Sequence, residues 1–164
     1  MKKNILIIAG EPSGDMRGAE IVRELKNIST DIDFCGIGGD LMAREGVRLI
    51  EHIRNMSIVG LWEAIKNLHK IHSHFSACVD YAKKNRPDAV ILIDYPGFNL
   101  KLAKAMKRLR IPVIYYILPQ IWAWGSWRAR SIKKYTDRII VLFEFEKEFL
   151  SSRGIDAVVA GHPL

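Results

Sequence analysis

Short aliphatic runs alternate with stretches in which apolar positions recur every three or four residues, and the alternation persists along the whole chain. Residues 4–9 (NILIIA) form the first strand-like run, and 17–28 follow with Ala19, Ile21, Val22 and Leu25 on one helical face. Residues 33–37 predict a short strand, 40–45 a short helix and 47–51 a further strand. A long helical pattern over 61–84 stops at Asn85-Arg86-Pro87. Residues 89–93 are continuously aliphatic, as in a strand covered on both faces. Beyond them the pattern predicts helix 100–109, strand 113–117, helix 127–134, strand 138–143, helix 146–152 and a last strand, 157–160. Strands separated by helices in this order predict an α/β fold, a doubly wound, mostly parallel sheet with helices on both faces. No repeat or Ser/Gly linker interrupts it, so 1–164 reads as a single domain.

A chain of 164 residues with 49% hydrophobic and 26% charged positions is large enough to bury a core without staples. Cys35 and Cys78 are too few and too far apart for a disulfide framework or a zinc site, which fits a reducing compartment. No stretch is apolar for long enough to span a bilayer or serve as a signal peptide, so a cytoplasmic chain is expected. The net charge of +7 is unevenly spread: Lys101, Lys104, Lys107, Arg108 and Arg110 form one group, and Arg128, Arg130, Lys133, Lys134 and Arg138 another. Such a surface favours nucleic acid, a phosphorylated substrate or acidic lipid, although any one of these side chains also reads as part of a solvated helix face.

Candidate chemistry collects at the strand ends. Gly10-Glu11-Pro12-Ser13-Gly14-Asp15 joins the first strand to the first helix, where two glycines admit a ligand to the backbone and three polar side chains stand at the mouth. Taken alone, the spacing of the same corner favours a tight turn in which Ser13 or Asp15 caps the helix. It lacks both the dinucleotide-binding glycine fingerprint and the lysine of a phosphate loop. Asp94 ends the buried strand 89–93 and is placed to act as a general base, or to bond the amides of its own turn. Asn99 suits either a helix cap or a contact to a substrate hydroxyl. Three of the four tryptophans, Trp122, Trp124 and Trp127, precede a basic helix, a combination suited to sugars, acyl chains, an interfacial lipid environment or stacked bases, or simply to a loop-covered core. Ile58, Leu61, Trp62, Ile65, Leu68, Ile71 and Phe75 form one apolar stripe, ringed by Lys66, His69, Lys70 and His74. The stripe reads as a core face or, with the apolar run Ser57–Trp62, as a surface that dips into a membrane. His69, His72 and His74 lack partner ligands at metal spacing, and no serine-hydrolase elbow is present.

Six segments in order, Gly10–Asp15, Gly36–Gly39, Gly60–Glu63, Asp94–Asn99, Pro119–Trp124 and Gly161–Pro163, resemble the N-terminal half of the lipid-A-disaccharide synthase family. The resemblance covers essentially the whole chain. It implies a Rossmann-like N-terminal domain of a two-domain GT-B glycosyltransferase. It further implies transfer of diacylglucosamine from its UDP derivative to diacylglucosamine 1-phosphate, releasing UDP and forming a β-1,6 disaccharide with no cofactor or metal. The family works at the cytoplasmic face of the inner membrane of Gram-negative bacteria, so an anionic membrane surface rather than nucleic acid is the implied partner. Residue by residue, it implies Asp94 as base, with Glu11, Ser13, Gly14, Asp15, Asn99 and Gln120 lining the substrate cleft. Trp122, Trp124 and Arg128 would lie near the acyl chains and acceptor phosphate, and Ile58, Val59, Leu61, Trp62, Ile65 and Leu68 would face the membrane. The chain departs from the family pattern at Leu118, where Ser is common, and at Glu144, where Pro is common. Gly161-His162-Pro163-Leu164 follows directly on the last strand, so one half of a larger enzyme is expected, a fragment, a split subunit or a degenerate remnant, inactive without a C-terminal nucleotide-sugar domain; a chain carrying that C-terminal half, or a homo-oligomer, is the expected protein partner. The alternative is a non-catalytic module that binds membranes or anionic lipids.

Overall fold

The computed structural model describes residues 2–55, 61–118 and 127–161, with side chains from Lys70 onward in the long helix and from Ala129 onward in the helix that begins at Trp127. Seven strands form one sheet: β1 (Lys3–Ala9), β2 (Ile32–Gly38), β3 (Arg48–His52), β4 (Ala89–Ile93), β5 (Val113–Tyr116), β6 (Arg138–Val141) and β7 (Val158–Val159). Their order is β3-β2-β1-β4-β5-β6-β7, and every pairing is parallel. The helices are α1 (Pro12–Ile28), α2 (Asp40–Arg44), α3 (Leu61–Asn85), α4 (Pro96–Arg108), α5 (Trp127–Tyr135) and α6 (Glu144–Ser151). The doubly wound α/β architecture read from the alternating pattern is therefore the architecture present.

Alternation along the strands sorts the core into two layers. Leu6, Ile8, Val90, Leu92, Val113, Tyr115 and Ile139 face a cluster shared with Cys78 of α3, Leu102 and Met106 of α4, Ile132 of α5 and Leu150 of α6. Ile7, Ala9, Phe34, Ile91 and Ile93 face the other side, where Ala19 and Val22 of α1 and Met42 of α2 cover them. On that second face the covering is partial. Ile91, Ile114, Tyr116 and Ile140, together with Ile21 and Leu25 of α1, line an open groove of about 670 Å³.

The strand order changes direction between β1 and β4. From β1 the chain moves to β2 on one side, and from β4 to β5 on the other, so the segments leaving these adjacent strands diverge and open a crevice at their C-terminal ends. Ala9 and Ile93, the last residues of the two strands, are register partners. Gly10-Glu11 and Asp94-Tyr95 consequently emerge side by side.

Three helices begin earlier than their apolar periodicity indicates, two of them by a full turn or more. α1 starts at Pro12 rather than residue 17, and α4 at Pro96 rather than residue 100. In both, a proline occupies the first turn, where its missing N–H has no intrahelical partner to lose and its fixed φ already suits the helix. Ser13, Gly14 and Asp15 thus lie inside the first turn of α1, and neither Ser13 nor Asp15 caps that helix, whose N-cap is Glu11. Asn99 likewise sits inside α4, behind an N-cap at Tyr95. α6 begins two residues before the expected 146, and Glu146 reaches back to accept the amides of Leu142 and Phe143 at 3.0 Å each.

Candidate functional site

The crevice is built around Asp94 and Tyr95, consecutive non-glycine residues at φ 44° and 45°. Each left-handed residue of this kind costs about 1–2 kcal/mol, so the surroundings must hold the turn in place. They do so through the backbone. The Asp94 amide donates to the Tyr116 carbonyl at 3.1 Å, and the Asp94 carbonyl accepts from the Tyr115 hydroxyl and from Asn99 Nδ2, both at 2.8 Å. Asn99 Nδ2 also donates to the Ile93 carbonyl at 3.1 Å. Asn99 is fully buried, so its side chain ties the end of β4 to α4 and acts on the crevice through Asp94.

Beside this turn, Gly10 lies flat against the Tyr95 ring. A Cβ at Gly10 would come within 2.4 Å of ring carbons, so the two strand ends approach this closely only with glycine there. Glu11 then stands exposed at the mouth, next to Asp94. Burial pushes the Asp94 carboxyl above its ordinary value, and the neighbouring Glu11 carboxylate pushes it further. A hydrogen bond from the Tyr95 amide opposes both. Burial and Glu11 likewise raise the Tyr95 hydroxyl. A half-buried carboxylate whose proton affinity is raised, at the switch point of a parallel sheet, is suited to take a proton from a bound hydroxyl.

Asp15 has a different task. It is 4% exposed, and its carboxylate accepts the amides of Gly39 (2.7 Å) and Met42 (3.0 Å) on Oδ1 and of Leu41 (3.1 Å) on Oδ2. These are donors at the N-terminus of α2, which has no side-chain cap of its own. Gly39 is required for the contact, because a Cβ there would fall 2.5 Å from Asp15 Oδ2. Asp15 therefore joins the corner after β1 to the corner after β2, instead of standing open at the mouth. Ser13 is exposed and Gly14 buried in the same turn. Tyr95 and Tyr115, which the sequence reading did not single out, supply the wall and the tether. The two-residue period that buries Val113 and Tyr115 together was the available signal.

Gln120, Trp122, Trp124, Ile58 and Val59 fall outside the described residues, as do the side chains of Leu61, Trp62, Ile65, Leu68 and Arg128. Among the described residues no cluster of three or more His, Cys, Asp or Glu side chains is arranged to hold a metal, and no helix is long and apolar enough to cross a membrane. The two departures from the family pattern have local accounts. Leu118 is buried in the larger core cluster, and Glu144 opens α6, where negative charge is favourable.

Solved structures with this architecture include a UDP-GlcNAc 2-epimerase from Neisseria meningitidis (TM-score 0.66, 17% identity, covering 99% of this chain and 46% of that one). Another is the UDP-N-acetylglucosamine 2-epimerase from Rickettsia bellii (TM-score 0.63, 18% identity, 98% and 45%). Nearer relatives carry the name lipid-A-disaccharide synthase. The protein from Coxiella burnetii (strain Dugway 5J108-111) is 41% identical over 162 residues, 99% of this chain and 43% of its own length. That from Myxococcus xanthus is 39% identical over 160 residues, 98% and 42%. The chain spans less than half the length of these curated relatives. The sequence model of the lipid-A-disaccharide synthetase family matches residues 5–164, and the chain belongs to that family.

Proposed function

We propose that this chain is the acceptor-side half of a GT-B glycosyltransferase of lipid A biosynthesis, joining UDP-diacylglucosamine and diacylglucosamine 1-phosphate. The observation that carries the reading is the Asp94 carboxyl, on a residue whose backbone is held at the switch-point crevice by three hydrogen bonds, and raised in proton affinity by burial and by Glu11. In the proposed step Asp94 takes the proton of the acceptor's 6-hydroxyl while that oxygen attacks C1 of the donor sugar. The bond from C1 to the UDP oxygen breaks, UDP leaves with the electron pair, and a single displacement turns the donor's α linkage into β. Stabilising the departing diphosphate falls to a donor-binding domain supplied by further sequence or by a partner chain. Glu11 and Ser13 line the mouth, Gly14 lets α1 approach β1, and Asp15 and Asn99 act by positioning. Gln120, Trp122, Trp124 and Arg128 are assigned to the acceptor, and the stripe Ile58, Val59, Leu61, Trp62, Ile65 and Leu68 to the cytoplasmic face of an anionic membrane.

The test supplies the chain with the C-terminal half of a relative and follows disaccharide and UDP from the two lipids. Turnover is expected in the pair, and Asp94→Asn is expected to lower it about 10²-fold or more. Near-normal turnover in the variant rules out Asp94 as base. No product from a pair shown to associate favours a lipid-binding module without catalysis.

A further inference from the structure

Two clefts flank α4 and meet at its first turn. Between α4 and α5 lies a cleft of about 430 Å³ whose lining includes Gly97, Lys101, Lys104 and Ser131. Between α3 and α4 lies one of about 260 Å³, lined by Ile71, His72, Phe75, Gly97, Phe98 and Lys101. Gly97 and Lys101 belong to both, and no carboxylate lines either.

The two clefts differ in character. Lys101 and Lys104 are exposed, stand one turn apart on the same face of α4, and have no ion-pair partner among the described residues. Lys107, one turn further, is paired with Asp137. Two uncompensated ammonium groups lining one cleft, with Ser131 of α5 also in its lining, suit a compact dianion such as a phosphate monoester. The second cleft is walled by Ile71, Phe75 and Phe98, and the two phenylalanine rings lock edge to face at 6.1 Å. Apolar walls of this kind favour a hydrocarbon chain over water. Where the clefts join, a Cβ on Gly97 would meet nothing within 4 Å. The junction is open space three residues beyond Asp94.

We propose that the paired clefts astride α4 bind a phosphorylated amphiphile, its phosphate monoester between Lys101 and Lys104 and its apolar chain against Ile71 and Phe75. The proposal rests on the functional reading above and deepens it, placing the acceptor's phosphate and one acyl chain beside the corner that holds the base.

The experiment measures equilibrium binding of the intact chain to diacylglucosamine 1-phosphate in neutral detergent micelles. Parallel arms use the dephosphorylated lipid, free glucosamine 1-phosphate and phosphatidylglycerol vesicles. Lys101→Ala and Lys104→Ala are each expected to weaken binding of the phosphorylated lipid about tenfold, the equivalent of about 1.4 kcal/mol. The double variant should bind it no better than the dephosphorylated lipid. Gly97→Leu fills the junction from an unobstructed helical position and should weaken the phosphorylated lipid at least about tenfold without loss of stability. Lys147→Ala, exposed on α6, should have no effect. Unchanged binding in the double lysine variant or in Gly97→Leu overturns the site. So does an equal loss on phosphatidylglycerol vesicles, which would indicate a general membrane contact, and so does tight binding of free glucosamine 1-phosphate that Gly97→Leu leaves intact. In the reconstituted enzyme the two readings separate: lipid binding without turnover sinks the proposed reaction and leaves the site, whereas turnover with an acceptor KM indifferent to these variants sinks the site and leaves the reaction.

Discussion

Replacing Asp15 with alanine removes one carboxylate from three backbone donors, and the size of the loss can be worked from the contacts. The Gly39 and Met42 bonds are buried and the Leu41 bond partly so. A hydrogen bond to a charged acceptor contributes about 1.5–3 kcal/mol, and a buried donor left unsatisfied costs about 1–3 kcal/mol. Simple addition overshoots, because the variant no longer has a carboxylate to desolvate and water can reach the Leu41 amide. A net destabilisation of about 3–5 kcal/mol is the expected result, equivalent to about 10 °C or more in Tm for a chain of this size. Asparagine makes the reasoning sharper. Gly39 and Met42 both donate to Oδ1, so an amide oxygen in that place keeps two bonds while its NH2 group faces the Leu41 amide, and Asp15→Asn should lose less, about 2 kcal/mol. Urea unfolding followed by circular dichroism measures both variants at constant m-value. An alanine loss under about 1 kcal/mol, or an asparagine loss equal to the alanine loss, refutes the account of Asp15 as the cap of α2. Full stability with abolished acceptor binding would instead place Asp15 on the ligand.

Three further outcomes are expected. Asp94→Asn should stabilise the fold at neutral pH. The folded-state affinity of Asp94 for its proton is raised above the ordinary 3.8, so its contribution is fully present below that value and is lost as pH rises through the folded pKa. The gain should therefore vanish in acid, and a gain equally large well below pH 3.8 would contradict the assigned cause. Glu146→Ala frees the amides of Leu142 and Phe143 and should cost about 1–2 kcal/mol in urea unfolding, whereas an unchanged midpoint would show that this cap is not needed. The Cys78 thiol, fully buried on α3 and pushed up to about 12 by that burial and then by the nearby Cys35 and Glu51, should resist iodoacetamide at pH 8 in the folded chain and react once urea unfolds it; mass spectrometry after brief exposure reads the difference.

The sheet was legible because its strands bury both faces, and a run such as Ala89–Ile93 leaves little room for another reading. The helix starts at Pro12 and Pro96 were missed because proline was read as loop, although the first helical turn is the place in a helix that tolerates it. Asp94 stood out at the end of its strand. The roles of Asp15 and Asn99 did not, for different reasons: Asp15 acts on residues 24–27 positions away, and Asn99 acts on carbonyls behind it that only an earlier helix start brings within reach. The clefts beside α4 were invisible in one dimension, since they exist only where α3, α4 and α5 are set side by side on the sheet.

The left-handed pair Asp94-Tyr95 has a bearing on how this sequence ages. Glycine or asparagine at either position would adopt the same turn with less strain, and at position 94 it would also relieve the crowding of two carboxylates at the mouth. A lineage kept only for its fold gains stability with the first such substitution, so this aspartate is among the earliest side chains that drift would erase. Its persistence in any member of the family is a gauge, readable from the gene, of whether the crevice is still in use.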